Sequence, residues 1–323
     1  SHSGDTALIG TSAAFFYSAS SFTQADSDPT PTITGTTGGT FSSDAGVVFI
    51  DTSTGQIDLS ASTIASHTIF YIVNGVQASQ TIAITAAPFI NQYSFLYDGF
   101  DEYLSVNPIL KNLSSDNFTI STWVKINSLP TGTAEQVIFQ ELTGGSRYVR
   151  LCTKGNQNGF VLRYGNGGNL QINGSTTITI DVWYHVALVY STTGIKLYVD
   201  GNEDASATYT ALSRGAFAYA AIGCYYFAGT ALNFWNGYID EFSIWDSALN
   251  SNAITEIASG PNSLDSLTHA SSTDLISWYR MGDEATFSNP TGVGNWTLVN
   301  QGSGGNNAIS VNMEESDRVT ETP

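Results

Sequence analysis

The residues from Trp183 to Gly201 constrain the fold more than any other stretch. They run Trp183-Tyr184-His185-Val186-Ala187-Leu188-Val189-Tyr190, then Ser191-Thr192-Thr193-Gly194, then Ile195-Lys196-Leu197-Tyr198-Val199-Asp200-Gly201. The first run is apolar at both odd and even positions, as a strand covered on both faces must be. The second alternates, with Ile195, Leu197 and Val199 on one face and Lys196, Tyr198 and Asp200 on the other. A short polar link containing Gly194 joins them, which is hairpin chemistry. Asp200-Gly201 signals a second tight turn.

Further blocks flank this hairpin. Upstream lie Phe95-Leu96-Tyr97-Asp98-Gly99-Phe100-Asp101-Glu102-Tyr103-Leu104 and Phe118-Thr119-Ile120-Ser121-Thr122-Trp123-Val124-Lys125. Downstream lie Ala221-Ile222-Gly223 and Phe234-Trp235-Asn236-Gly237-Tyr238-Ile239-Asp240-Glu241-Phe242-Ser243-Ile244-Trp245. With the pattern W-x-H-V-A-L-V-Y … I-x-L-Y-V-D-G, these blocks over residues 93 to 258 resemble the laminin-G/pentraxin-like branch of the concanavalin A-like jelly rolls. The resemblance implies the fold and, for His185, a structural place in the core. It says less about function, because that fold hosts lectins, adhesins, receptors and hydrolases.

A chain of 323 residues carries two domains, or one large β domain with an appendage. Charged residues make up 12% and aromatics 12%, a balance of extracellular or virion-type β proteins. The formal net charge of -18 repels phosphate and anionic membrane surfaces, which excludes nucleic acid and membrane surfaces as partners. Lys and Arg are absent before Lys111. Cys152 and Cys224 form either one disulfide or two buried thiols, and neither choice makes a disulfide framework. No apolar run is long enough to span a membrane as a helix. The chain opens Ser1-His2-Ser3 without Met, which implies a processed, tag-derived or trimmed start.

The expected fold is all-β. Residues 1–11 read as an arm. Residues 12–87 read as an Ig-like β-sandwich, since short strand patterns there alternate with turn clusters such as Asp26-Ser27-Asp28-Pro29. Phrases such as P-T-P-T-I-T-G-T-T-G-G-T-F-S resemble bacterial and phage Ig-like spacer modules. Ala87-Pro88 marks the boundary, and residues 88–261 form the jelly roll, closed by a short helix capped by Asn250 or Ser251 and stopped at Gly260-Pro261. Residues 262–323 read as an irregular extension packed on the jelly roll or on a neighbouring subunit. Within it, W-Y-R-M-G-D at Trp278–Asp283 with a late N-N … N-M-E resembles the C-terminal segment of laminin-G-like structural proteins of tailed, notably marine, bacteriophages.

The search for chemistry favours binding over catalysis. Glycosidases of this fold need two carboxylates about 5–5.5 Å apart for retention, and Glu102, Glu135, Glu141, Glu203 and Glu241 have no partner at such a register. The four histidines, His2, His67, His185 and His269, are far apart in the chain. Calcium needs six to eight oxygens. Asp98 and Asp101 lie at the first strand of the jelly roll and Asp240 in its last, and the resemblance implies that these strands are neighbours, so the three carboxylates are the candidate ligands of a structural calcium. Asp200, Asn202, Glu203 and Asp204 form a second oxygen-rich turn, read as solvated. Tyr225, Tyr226 and Trp235, in one aromatic-rich segment, are the candidate sugar-stacking residues. The sequence reading is therefore a non-enzymatic, surface-exposed structural and adhesive protein, a phage fibre or head-decoration protein, with a bacterial secreted or cell-surface carbohydrate-binding adhesin as the alternative. Its expected partners are other virion or surface proteins, glycans and further copies of itself.

Overall fold

The computed structural model describes residues 10–86, 90–144, 147–166, 170–260, 269, 271–289 and 295–323. The chain divides into two compact units, Ser1–Phe89 and Ile90–Pro323. The expected boundary at Ala87-Pro88 and most of the expected arm lie outside the described residues.

In the first unit the strand Ala65–Val73 sets the pattern. His67, Ile69, Tyr71 and Val73 alternate inward, the period of two that one buried face imposes. Asn74 and Gly75, at φ 47° and 82°, turn the chain into Val76–Thr85, and both strands join Ser21–Thr23 and Thr40–Ser43 in a four-stranded sheet. Two-stranded pairs, Phe15–Phe16 with Thr32–Ile33 and Val48–Asp51 with Gln56–Asp58, complete the unit. Phe41, Ile57, Leu59, Ile69, Tyr71, Ile82 and Ile84 fill its core.

The second unit is a sandwich of two large sheets. A nine-stranded sheet runs in the order Leu170–Asn173, Gly159–Asn166, Arg147–Lys154, Glu135–Gly144, Tyr219–Ile222, Tyr103–Val106, Ala308–Val311, Asn295–Leu298 and Thr286–Ser288. The facing sheet runs Asn202–Ala207, Gly194–Val199, Trp183–Ser191, Phe118–Ile126, Asn236–Trp245, Ser94–Asp98 and Arg318–Val319, with Leu275–Tyr279 also paired to Asn236–Trp245. Between them pack Phe139, Leu151 and Leu162 from the first and Ile120, Leu188 and Phe242 from the second. The Phe139 and Phe242 rings meet across the sandwich with centroids 5.1 Å apart.

The hairpin read from the sequence forms as Trp183–Ser191 and Gly194–Val199, and the Trp183–Ser191 strand is buried from Tyr184 to Tyr190. Asp200 and Gly201, at φ 47° and 78°, make the second turn. The oxygen-rich stretch beyond it is not a solvated loop but the strand Asn202–Ala207, where the Asp204 carboxylate accepts the Ser175 and Thr176 backbone N–H groups at 3.1 and 2.8 Å. The helix Ser251–Ile257 starts at Asn250, whose side chain accepts the Ala253 N–H at 3.0 Å.

The C-terminal residues correct the expectation of an irregular extension. From Leu275 onward the chain adds three strands to one sheet and two to the other. These strands have two to five residues each, too few for alternation to stand out in sequence. Trp278 and Trp296 are buried with 1% exposure, and the segment covers its own chain's core. Trp296→Ala is expected to cost about 3–5 kcal/mol through the cavity it leaves, read by denaturant melting. Deleting residues 275–323 should abolish the cooperative transition of the second unit, monitored by calorimetry of the full chain against the truncated one.

Candidate functional site

The outer face of the nine-stranded sheet carries a polar cluster that the fold builds by register alone. Tyr148, Arg150, Cys152 and Lys154 alternate along Arg147–Lys154, so all four point away from the core residues Val149 and Leu151. Arg150 stands directly opposite Arg163 on Gly159–Asn166 and opposite Gln140 on Glu135–Gly144. Two like charges in register repel, and Glu135 resolves the conflict by bridging them. Arg150 Nη1 donates to its Oε2 at 3.0 Å, and Arg163 Nη1 donates to its Oε1. Side-chain exposure is 9% for Arg150, 7% for Glu135 and 22% for Arg163.

Over this cluster lies the hairpin Tyr225–Phe227 and Thr230–Leu232, turned at Ala228-Gly229 with φ 49° and 86°. Tyr225 packs on Val137, Cys152 and Val161. The Arg150 guanidinium is 4.8 Å from the Tyr225 ring centroid and 5.2 Å from that of Tyr148. Gln140 Nε2 donates to the Tyr226 carbonyl at 2.6 Å. Tyr226 stacks on Tyr103 at 5.6 Å, and Tyr219, Phe227 and Phe234 continue the half-buried aromatic strip. Three buried polar atoms in the cluster have no hydrogen-bond partner among the described residues: Arg150 Nε, Arg163 Nε and Gln140 Oε1. Each such atom costs about 1–3 kcal/mol, so a surface that keeps three together is out of balance until something else supplies partners.

Of the sequence-derived aromatic candidates, Tyr225 and Tyr226 belong to this surface and Trp235 does not. Trp235 has no exposed surface, sits in the main core and donates its Nε1–H to the Tyr238 carbonyl at 3.2 Å. A ring buried in the sandwich offers no face to a ligand, so the stacking role expected for it is corrected. Arg150, Arg163, Glu135 and Tyr148 escaped the sequence reading. The signal was present: four of the ten basic residues fall between 147 and 163, and no acid occurs from Leu142 to Ile180.

The three carboxylates expected to hold calcium do not converge. The first and last jelly-roll strands do pair, but the register sets Asp98 opposite Asn236 and Ile239 opposite Phe95. Asp240 therefore lies four residues along the strand from the position facing Asp98, a distance of about 13 Å at 3.3 Å per residue. Asp98 is exposed, and its Oδ1 accepts the Phe100 N–H at 2.7 Å in its own turn; Asp101 is exposed as well. Asp240 is fully buried and accepts from Asn91 Nδ2 at 2.7 Å and from the Glu241 N–H at 2.8 Å. Among the described residues no group of three or more His, Cys, Asp or Glu is placed to hold a metal ion.

The acids pair in other ways. Glu241 is fully buried beside Asp240; Arg280 Nε donates to it at 3.3 Å and Trp278 Nε1 also donates to it. Burial and the neighbouring Glu241 charge push Asp240 well above the carboxylate range, and burial pushes Glu241 up to about 7. Glu102, read in sequence as isolated, shares a hydrogen bond with Asp317 of the C-terminal segment and accepts the Asp98 N–H at 2.6 Å. Burial pushes it up to about 8. Glu141 accepts the N–H groups of Ile109, Leu110 and Lys111 at 2.9, 3.0 and 3.2 Å and pins that turn. His185 is the buried structural residue that the resemblance implied. Its Nε2 lies 2.7 Å from Ser121 Oγ, and burial lowers it to about 3. Cys152 and Cys224 are free buried thiols. A cleft of about 150 Å³ elsewhere in the unit, lined by Ile109, Asn112, Asp246, Ile276 and Asn306, has no aromatic or cationic lining residue.

Residues 97–255 match the model of the concanavalin A-like lectin/glucanases superfamily, Laminin_G_3. The second unit contains a concanavalin A-like jelly-roll domain. Among solved structures, a Bacteroides ovatus protein provisionally classed as carbohydrate binding is similar over 95% of this chain and 97% of its own, at 14% identity and TM-score 0.51. The CBM40 of the Ruminococcus gnavus IT-sialidase, solved with α2,3-sialyllactose, covers 51% of this chain and 97% of its own at 16% identity and TM-score 0.43. Domain 4 of a Geobacillus stearothermophilus extracellular arabinanase, in complex with arabinotriose, covers 62% and 84% at 19% identity and TM-score 0.40. The first of these likenesses bears on the fold alone. A comparison with curated protein sequences finds no match.

The buried acids of the jelly-roll unit set its pH response. Glu102 keeps its proton in the folded unit up to about pH 8, whereas in the unfolded chain it gives it up near 4.5. Between those values the folded state binds more protons, so this group's stabilising contribution falls as pH rises through the window. Glu141 and Glu241, both pushed up to about 7, act in the same direction. Glu102→Gln is expected to add at least about 1 kcal/mol at pH 8 and to flatten the slope of Tm between pH 5 and 8, measured by scanning calorimetry. Arg280→Met should cost about 3–5 kcal/mol, because it leaves the buried Glu241 without its cation, measured by denaturant melting at neutral pH.

Proposed function

We propose that the protein is a non-enzymatic glycan-binding protein displayed on a surface, and that the outer face of the nine-stranded sheet is where saccharide binds. One observation carries this reading: an aromatic strip containing Tyr225 and Tyr226 lies beside the polar cluster of Arg150, Glu135, Arg163 and Gln140. A sugar ring presents an apolar C–H face that packs on an aromatic ring and a rim of hydroxyls that both donate and accept. The surface supplies both halves. The buried acid pairs favour binding without hydrolysis, since Asp240 and Glu241 are sealed in the interior and Glu102 is tied to Asp317.

For the biological setting we propose a tailed-phage particle, as fibre or head decoration, with a bacterial cell-surface adhesin as the alternative. The W-Y-R-M-G-D block and the Ig-like phrases of the first unit support it, the first unit acting as an Ig-like spacer and the jelly roll as the displayed module. Mass spectrometry of purified particles from the source culture checks this directly, and recovery of the protein only from cell envelopes favours the adhesin.

The binding reading is tested by titrating an oligosaccharide panel into the full chain. Tyr225→Ala should weaken a detected complex by about tenfold, or 1.4 kcal/mol, while the protein stays folded. Trp235→Ala should instead lower stability by about 3–5 kcal/mol as a core residue does.

A further inference from the structure

We propose that this surface selects acidic saccharides, and that Arg150 and Arg163 recognise the carboxylate or sulfate group of the sugar. The proposal rests on the glycan-binding reading above and names the ligand class. The first argument is the distribution of charge. The chain holds 28 acidic and 10 basic residues, yet Arg150, Lys154 and Arg163 share the outer face of two adjacent strands, with Glu135 as the carboxylate among them. An anion approaching a body of net charge -18 is repelled everywhere except where cations outnumber acids locally.

The second argument is the state of the guanidinium groups. Arg150 is 8% exposed, and such burial of a cation is tolerated when its donors are matched. One Glu135 carboxylate serves two arginines through one Nη1–H of each, and the Nε–H of both has no partner among the described residues. An arginine binds a carboxylate or sulfate through its guanidinium N–H groups, and the Arg163 side chain, at 22% exposure, reaches the face of the sheet. The guanidinium groups are held in place beforehand. The Tyr225 and Tyr148 rings flank Arg150, and Glu135 fixes both arginines from one side. A neutral glycan would satisfy Gln140 and pack on the tyrosines, but it would leave two guanidinium groups against one carboxylate.

Lys154 extends the patch. It lies opposite Glu135 in register, with its Nζ 3.5 Å from Gln171 Oε1. It is part of no buried ion pair among the described residues, so its charge can be removed with little structural consequence.

The test is calorimetric titration of the full chain with three matched sets of oligosaccharides: neutral, uronate-bearing or sialylated, and sulfated. The expected result is binding of the acidic sets, weakened by rising salt. Affinity should fall at least about tenfold in Arg150→Gln and Arg163→Gln and several-fold in Lys154→Gln. Arg150→Lys should restore part of it. Comparison of the two acidic sets separates carboxylate from sulfate recognition. Tm is recorded for each variant, and Lys154→Gln, which should melt like the parent, keeps the test valid if an arginine variant unfolds. Equal binding of the neutral set, unchanged by salt and by Lys154→Gln, would overturn the acidic preference while leaving glycan binding in place. No binding in any set would overturn both.

Discussion

A carboxylate with no exposed surface, Glu241, ties the closing strand of the jelly roll to the C-terminal segment. The register shift between Ser121 and Trp123 bulges the facing strand pair, and Glu241 takes a left-handed φ of 48° there. Bulges re-aim side chains, and this one places Asp240 and Glu241 together in the interior. Two buried acids side by side would be untenable without a cation. Arg280 supplies it, donating also to the Ile90 carbonyl at 3.2 Å, while Trp278 donates to the same Glu241. The strands after Leu275 are therefore needed electrostatically as well as for the apolar surface they cover.

Few cations in this chain are left to decorate its exterior. Arg280 pairs with the interior Glu241, Arg214 clamps Asp116 and the Leu110 carbonyl, and Lys125 reaches Glu321 while lying 4.3 Å from the Tyr238 ring centroid. The first unit has no Lys or Arg at all. Against that background the arginines of the outer face differ. They hold a sheet surface together through Glu135. The aromatic strip beside them borrows its rigidity from the sheet it lies on, which suits a binding surface better than a mobile loop would.

How far the sequence disclosed this depends on the range of each interaction. The hairpin from Trp183 to Gly201, the Asn250 cap and the adjacency of the first and last strands follow from local pattern or from resemblance. Trp235 shows where local pattern stops. Phe234 and Trp235 are neighbours in extended chain and so point to opposite faces, and nothing local says which face is the interior. The Glu102–Asp317 and Glu241–Arg280 pairs join residues distant in sequence, visible only once the sheets are assembled. The basic residues between 147 and 163 are legible as a cluster in sequence, but that Arg150 stands opposite Arg163 follows only from the strand register. The calcium expectation took strand adjacency correctly but lacked the register, and four residues of offset separated the ligands.

The pairing of Ser94 and Phe95 with Val319 and Arg318 has a consequence for how the molecule is made. Ser94 also donates its hydroxyl to the Glu321 carbonyl, a contact spanning 227 residues. During translation the first unit can fold as soon as it has emerged, since domains fold as units in N-to-C order. The second cannot close its sheet edge until residue 319 is clear of the ribosome. Its nascent strands must wait with their edges and aromatic faces unpaired, in a topology whose long-range contacts are slow to form. The cell must shelter that intermediate, and coexpressed chaperone rather than stronger core packing is the lever that should raise the yield of folded protein.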